Sequence, residues 1–257
     1  MEAIEGDRGR SRYSLKPSRI SNEDILFCID VDSESSIEIK TTGSNGRPIT
    51  RMDSIKQAIL LFVHAKLSIN PEHRFAFTTI AKSAIWLKKE FSSDIPSTEA
   101  AVRGLSATSS CSHADLTSLF RLAAHEAKKS TAQNRILRLI LIYCRSSTRP
   151  QHQWPVNQKL FTLDVIYLHE KPGPDNCPQE VYDALVDALD HVSQYEGYIF
   201  ESGQGVARVL YRCMCLLLSH PRQRISLDDL DIPKPLTKKL PPTDSVPTNE
   251  VVPVTSQ

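Results

Sequence analysis

The chain has 257 residues, 40% hydrophobic and 24% charged, enough for one sizeable core with polar ends. Its 31 Lys and Arg residues against 30 Asp and Glu leave a net charge of +1, and the interspersed signs exclude the concentrated positive field of sequence-independent nucleic-acid binders. The N-terminal stretch lacks the apolar centre of a signal peptide, and no run approaches the ~20 apolar residues that span a bilayer, so the expectation is a soluble intracellular protein with no direct nucleic-acid or membrane partner.

Residues 1–20 are polar, mixed in charge and without hydrophobic period, which predicts a disordered leader. ILFCID (25–30) is short, continuous, apolar and bounded by polar residues, the signature of a buried strand. SESSIEIKTTGSNGRPIT (33–50) is rich in Ser, Thr and Gly and predicts a loop. Met52, Ile55, Ile59, Phe62 and Val63 recur at helical spacing until Asn70-Pro71 stops the pattern. RFAFTTIA (74–81) predicts a second strand, with AIWL (84–87) folding back as a short antiparallel edge. Residues 94–104 are weakly helical, and after the Ser-rich loop SATSSCSH the positions Leu116, Leu119, Phe120, Ala123 and Ala127 mark an amphipathic helix.

RILRLILIYC (135–144) and LFTLDVIYL (160–168) predict two central strands, because both are long runs rich in Ile, Leu, Val and Tyr. Val181, Leu185, Leu189 and Val192 mark a helix, YIF (198–200) a short last strand, and Val206 to Leu218 a closing helix that ends at Ser219-His220-Pro221. Alternating strands and helices imply an α/β fold: a mainly parallel sheet, helices on both faces and one antiparallel edge strand. The expected organisation is a leader (1–20), one domain (21–225) and an extended Pro-rich tail (226–257).

Among the six cysteines, Cys28, Cys144, Cys213 and Cys215 sit in apolar runs where a thiol acts as a small core hydrophobe, which fits a reducing compartment. Cys213 and Cys215 stand about 200° apart around a helix axis, so they do not share a zinc ion from one face. His64, His73 and His125 are scattered and read as surface or cap residues. Cys111-Ser112-His113 lies in a Ser-rich loop with no orienting acid, and reads as a loop rather than a nucleophile and its base.

The acidic cluster Asp30, Asp32 and Glu34 closes the first strand, where doubly wound sheets deliver functional carboxylates. Asp30-Val31-Asp32 matches the D-x-D of haloacid-dehalogenase-type phosphohydrolases, with Asp30 as nucleophile and Asp32 as general acid. That chemistry also needs a later acidic pair to hold Mg²⁺, and the later strands end in YCRSS and YLHE. The metal-ion-dependent adhesion site of von Willebrand factor A domains instead uses D-x-S-x-S, a downstream Thr, and an Asp after the fourth strand. Here Asp32 and Glu34 stand where the serines belong, Ser112 or His113 where the Thr belongs, and Cys144-Arg145-Ser146 where T-D-G belongs. Mg²⁺ demands short oxygen ligands at about 2.0–2.1 Å in an octahedron, which a longer Glu does not supply in place of Ser. The expectation is a degenerate, metal-free site in which Arg145 pairs with the acids.

The order of elements resembles a von Willebrand factor A-like domain. The segments ILFCIDVDSES, SCSHADLTSLFRL, ILRLILIYCRSSTRPQ, FTLDVIYLHE and CMCLLLSHPRQR resemble the scaffold-subunit family of the BRISC and breast-cancer-susceptibility A deubiquitinase assemblies over about residues 22–224. The resemblance implies a non-catalytic adaptor without cofactor. Its implied partners are a ubiquitin-conjugating-enzyme-like subunit of the brain-and-reproductive-organ-expressed type, a zinc metalloprotease deubiquitinase and that enzyme's pseudo-enzyme partner. It further implies action on signalling polyubiquitin chains, a DNA-damage role, and residence in cytoplasm and nucleus. No H-x-H with a following acid and no H-E-x-x-H helix supplies protease chemistry in this chain. His220, Pro221, Arg222 and Arg224, at the join between domain and tail, are the first docking candidates. The tail prolines around Pro241 and Pro242 suit either a docked extended peptide or a plain linker.

Overall fold

Glu23-Asp24 and the apolar run behind them form β1 (Glu23–Asp30), buried along its whole length. The computed structural model describes residues 20–42, 48–155 and 158–230; the expected leader to residue 19 and the tail from 231, Pro241 and Pro242 included, lie outside the described residues. The segment predicted as a loop instead holds a 3-10 turn (Ser33–Ser36) and two strands, β2 (Glu38–Thr42) and β3 (Pro48–Thr50), paired antiparallel. Thr50 then starts α1 (Arg51–Ile69) with a capping box to Asp53, in which each side chain satisfies the other's backbone N–H.

Next come β4 (Arg74–Ile80), β5 (Ala84–Ser92), α2 (Ile95–Arg103), α3 (Leu116–Ala132) and β6 (Ile136–Tyr143). The chain continues through β7 (Thr162–Leu168), α4 (Pro178–Val192), β8 (Ile199–Ser202) and α5 (Val206–Leu216). Asp94 and Asp115 cap α2 and α3 by accepting backbone N–H groups. Gly197 is required on the approach to β8: a Cβ there would stand 2.2 Å from the Leu163 carbonyl oxygen, so only glycine lets the two strands close up. The unit that ends at Ile225 carries all these elements; in the following unit the described residues form one 3-10 turn, Leu227–Asp229.

Six strands form one sheet in the order β5-β4-β1-β6-β7-β8. Every neighbouring pair is parallel except β4 with β5. This is the expected α/β arrangement, a mainly parallel sheet with one antiparallel edge. That edge strand is longer than the predicted 84–87, because its half-exposed continuation KKEFS shows no apolar run. The strand order reverses between β1 and β6, and a crevice opens beyond the carboxyl ends of strands at such a switch point.

Helices α1, α2 and α5 pack together on one face, and α3 and α4 cover the other. Alternation along each strand divides the core between them. Phe27 meets the α1 side, stacked on Phe77 and edge-on to Phe62, each at 5.6 Å. Leu26 and Cys28 point the opposite way, into a cluster with Leu119, Phe120, Leu163 and Leu185. Cys28, Cys144 and Cys213 are buried as expected from their runs, whereas Cys215 is exposed, and all six thiols are free. Burial pushes the Cys28 and Cys213 thiols up to about 12, so neither is a reactive thiolate.

The amino ends of the strands carry charges that the apolar periodicity concealed. Glu23 is fully buried and receives Lys66 Nζ from α1 and Arg138 Nη1, the latter at 3.2 Å. Arg138 Nε reaches Asp164 Oδ2 at 2.6 Å, and Arg224 donates to both Asp164 oxygens at 2.6 and 3.0 Å. Burial works to raise the Asp164 carboxyl, but the two guanidiniums hold it below the ordinary carboxylate range. Asp24 accepts from Arg74, Arg135 and Ser130. Each charge has an opposite partner, which is what burial of ions requires, although Arg138 Nη2 is buried without a hydrogen-bond partner among the described residues.

Of the surface or cap roles expected for His73 the surface one does not hold: the ring is buried, and its Nδ1 accepts the Glu23 N–H at 3.1 Å. His220 is buried as well; its Nδ1 accepts the Arg222 N–H and its Nε2 lies 3.0 Å from the Ser21 carbonyl. Acceptor geometry keeps both rings neutral. Burial lowers His73 from 6.5 to about 4 and lowers His220 in the same direction. The unfolded chain takes up protons near pH 6.5 that the folded chain refuses until about pH 4, so stability is full above that window and falls as pH drops through it. For His73 the loss is about 2–3 kcal/mol. Urea midpoints measured from pH 7.5 to pH 4 should decline, and His73→Gln, which keeps an acceptor but does not titrate, should flatten the decline.

Candidate functional site

The switch point gathers four loops: the end of β1, the end of β4, the 106–115 turn before α3, and the end of β6. Asp30 is the last residue of β1 and is fully buried, with Asp32 scarcely less so. The alternation that sends Ile29 to the core on one face turns Asp30 toward the other, under the β6 loop. Arg145 lies two residues beyond β6 and is equally buried.

Arg145 embraces Asp30 with Nε 3.2 and 3.1 Å from the two carboxylate oxygens and Nη2 3.0 Å from Oδ1. Its remaining donors go to backbone: Nη1 donates to the Cys111 and His113 carbonyls, both at 3.0 Å, and Nη2 to the Ala81 carbonyl. The guanidinium plane sits 5.6 Å from the centre of the Tyr143 ring. Asp30 also accepts the N–H groups of Asp32 and Cys144, each at 3.1 Å. Burial raises the Asp30 carboxyl above the ordinary carboxylate value, while Arg145 and those two N–H groups pull it back.

Asp32 does not point to an open position. Its Oδ1 accepts the Glu34 N–H at 3.1 Å and its Oδ2 the Cys111 N–H at 2.7 Å. The Glu34 carboxylate accepts Ser146 N–H at 2.9 and 3.1 Å and Ser146 O–H at 2.6 Å, with Arg51 3.8 Å away. Ser35 donates its hydroxyl to the Asp32 carbonyl at 2.6 Å. Ser112, the residue placed where a downstream ligand belongs, is exposed, and it is the Cys111 and His113 carbonyls of that turn that face inward, toward Arg145. Arg51, whose Nη1 lies 3.4 Å from the Cys144 carbonyl, and Tyr167, which donates to the Arg145 carbonyl at 3.2 Å, complete the site. No sequence pattern pointed to either, since both lie inside regular elements.

The residues present do not fit a divalent cation. Such an ion asks for about six oxygen lone pairs converging at about 2.0–2.1 Å. Here every carboxylate oxygen of Asp30, Asp32 and Glu34 already accepts N–H or O–H hydrogen bonds, and a fixed cation occupies the centre. Nucleophilic attack by Asp30 is equally disfavoured, because its lone pairs are committed and no water-lined approach reaches a carboxyl with no exposed surface.

The expectation that His220, Pro221 and Arg224 form a docking surface is corrected by their burial. His220 and Pro221 belong to the interior, and the Arg224 guanidinium is consumed by Asp164 under the Tyr198 ring, 4.4 Å from its centroid. Of this group Arg222 alone is exposed, and it holds the Tyr195 hydroxyl and the Ser21 Oγ at 3.0 Å each.

Removing one partner of a buried pair leaves the other uncompensated, at about 3–5 kcal/mol. Arg145→Ala is therefore expected to lower unfolding free energy by that amount in urea titrations. Arg145→Lys should also cost stability, because an ammonium lacks the planar fork that serves four acceptors at once. Combining Asp30→Asn with Arg145→Met should recover much of the loss.

No known family model matches the chain. A Xenopus tropicalis protein named BRISC and BRCA1-A complex member 1 is 29% identical over 227 residues, spanning 82% of this chain and 70% of that one. The Homo sapiens protein of the same name is 28% identical over 220 residues, spanning 79% of this chain and 65% of that one. Among solved structures, the TFIIH p34 N-terminal domain superposes with a TM-score of 0.51 at 14% identity, over 74% of this chain and 97% of that domain; this likeness concerns the fold alone. Over about four-fifths of its length the chain is therefore similar in sequence to the proteins named BRISC and BRCA1-A complex member 1, on a mainly parallel α/β sheet that carries acids at its switch point.

Proposed function

We propose that this chain is a non-catalytic scaffold subunit of a BRISC-like deubiquitinase assembly. The observation that carries the reading is Arg145 locked onto Asp30 at the switch point, where a metal-dependent or phosphate-cleaving relative would need free carboxylates. A domain whose switch-point acids are internally neutralised retains rigidity and surface, which are the properties of an adaptor. The similarity to proteins named for membership of two complexes supports the same reading.

In this proposal the chain binds a ubiquitin-conjugating-enzyme-like subunit of the brain-and-reproductive-organ-expressed type. Through it the chain stabilises a zinc metalloprotease deubiquitinase and the pseudo-enzyme partner of that protease. The assembly would act on non-degradative, signalling polyubiquitin, in the cytoplasm and in the nucleus, where a role in the DNA damage response would follow. The tail containing Pro241 and Pro242 is offered as an additional contact of the same assembly.

Affinity purification of the full chain from its own cells, followed by mass spectrometry, is expected to recover both the ubiquitin-conjugating-enzyme-like subunit and the metalloprotease. Recovery of neither overturns the proposal. In parallel, Mg²⁺ or Mn²⁺ at millimolar concentration should leave the melting temperature unchanged. An EDTA-reversible stabilisation abolished by Asp30→Asn would restore the metal-dependent reading.

A further inference from the structure

A second set of chemically capable side chains lies away from the switch point. The connector after β6 and the outer side of α4 border a cleft of about 950 Å³ whose wall includes His113, Thr117, Trp154 and three residues of particular interest, His152, Asp187 and His191. One nitrogen from each histidine and one oxygen from Asp187 lie within 4.8 Å of one another. We propose that His152, Asp187 and His191 form a binding site for a divalent transition metal, with zinc the ion best matched to the donor set.

Asp187 and His191 are four residues apart on α4, so the helix presents both on one face. His152 arrives from the connector, and its Nε2 stands 3.0 Å from Asp187 Oδ2. Its ring is fixed by edge contacts with Phe120 at 5.7 Å and His191 at 5.2 Å between centroids. His191 Nδ1 lies 2.7 Å from the Asp187 backbone carbonyl. The same nitrogen stands 3.4 Å from Asp187 Oδ1, so the ring lies against the carboxylate that would share the ion.

The His152 ring supplies an independent sign. Only 10% of its side chain is exposed, and its Nδ1 is buried without a hydrogen-bond partner among the described residues. With the proton on Nε2, a buried Nδ1 lone pair goes unmet. With the proton on Nδ1, the Nε2 lone pair faces a carboxylate oxygen at 3.0 Å with nothing between them. A cation bridging Nε2 and the carboxylate would relieve that opposition of lone pairs, with the proton held on Nδ1.

Tetrahedral zinc with arms of about 2.0–2.1 Å needs its donor atoms roughly 3.3 Å apart. His152 Nε2 and His191 Nδ1 stand 3.0 and 3.4 Å from the Asp187 carboxylate oxygens, close to that spacing, and the Asp187 side chain is 60% exposed. Two imidazoles and one carboxylate suit zinc and neighbouring first-row ions rather than Mg²⁺ or Ca²⁺. Three protein donors leave a fourth position open toward the cleft, where Arg121 and Arg149 would favour an anionic fourth ligand.

The test uses the full chain bearing Cys177→Ser and Cys215→Ser, so that exposed thiols do not compete, after EDTA treatment and dialysis. Calorimetric titration with Zn²⁺ is expected to give one site per chain. Asp187→Ala and His191→Gln, both at accessible positions that preserve the fold by circular dichroism, should each weaken it roughly tenfold or more. Co²⁺ should give tetrahedral d–d bands without a thiolate charge-transfer band. Absence of saturable binding, affinity unchanged in both variants, or a thiolate band overturns the proposal.

Discussion

The Asp30–Arg145 pair is the interaction on which the functional end of this molecule depends. A carboxylate at the tip of a central strand has to be neutralised, because an isolated buried charge costs several kcal/mol even after relaxation. Here the neutralising charge is covalently tethered to the chain. One guanidinium meets Asp30 while three of its hydrogen bonds go to carbonyls of two other loops, those of Ala81, Cys111 and His113. It thereby fixes the mutual position of loops that a dissociable ion would hold only when bound. An exchangeable ion confers responsiveness to its concentration; a tethered one confers constancy.

The opposite end of the sheet obeys the same rule with different residues. Glu23 and Asp164 stand at the amino ends of β1 and β7, and Arg138 of β6 lies between them, so one cation links two acids across three adjacent strands. Lys66 from α1 and Arg224 from the segment after α5 supply the remaining positive charge. The apolar middle of the sheet provides the driving force for folding, and the ionic clusters at its two ends determine which loops and helix ends sit where. Arg224 ties the chain leaving α5 back onto the sheet.

Most of the fold was legible because its strands and helices keep their periods. β1, β4, β6 and β7 announce themselves as apolar runs, and α1, α3 and α4 as stripes. The β2–β3 hairpin was missed because its alternation, in IEIKTT and PIT, is diluted by polar and Gly residues that equally spell a loop. The acids at the switch point were visible from their position after an apolar run, and Arg145 from its place in the β6 loop. What faces Arg145 was not, because backbone carbonyls leave no trace in side-chain identity. The buried roles of His73, His220 and Arg224 were hidden for a related reason: a polar residue near a helix or strand end reads as exposed unless its distant partner is known. Arg138 and Asp164 did carry a signal, a lone charge inside each of the two most apolar strands, where a partner is obligatory. His152, Asp187 and His191 combine a helical spacing of four with a residue 35 positions away, a juxtaposition only folding discloses.

The strand β5 has a consequence for how the molecule behaves at high concentration. It pairs with β4 on one side, and Ile85 and Leu87 are exposed at its start, an invitation to intermolecular strand addition and aggregation. Two features blunt it: the register against β4 slips twice, between Phe75 and Phe77 and again before Thr78, and Lys88, Lys89 and Glu90 follow directly in the sequence. An irregular, charged border makes a poor template for a second chain.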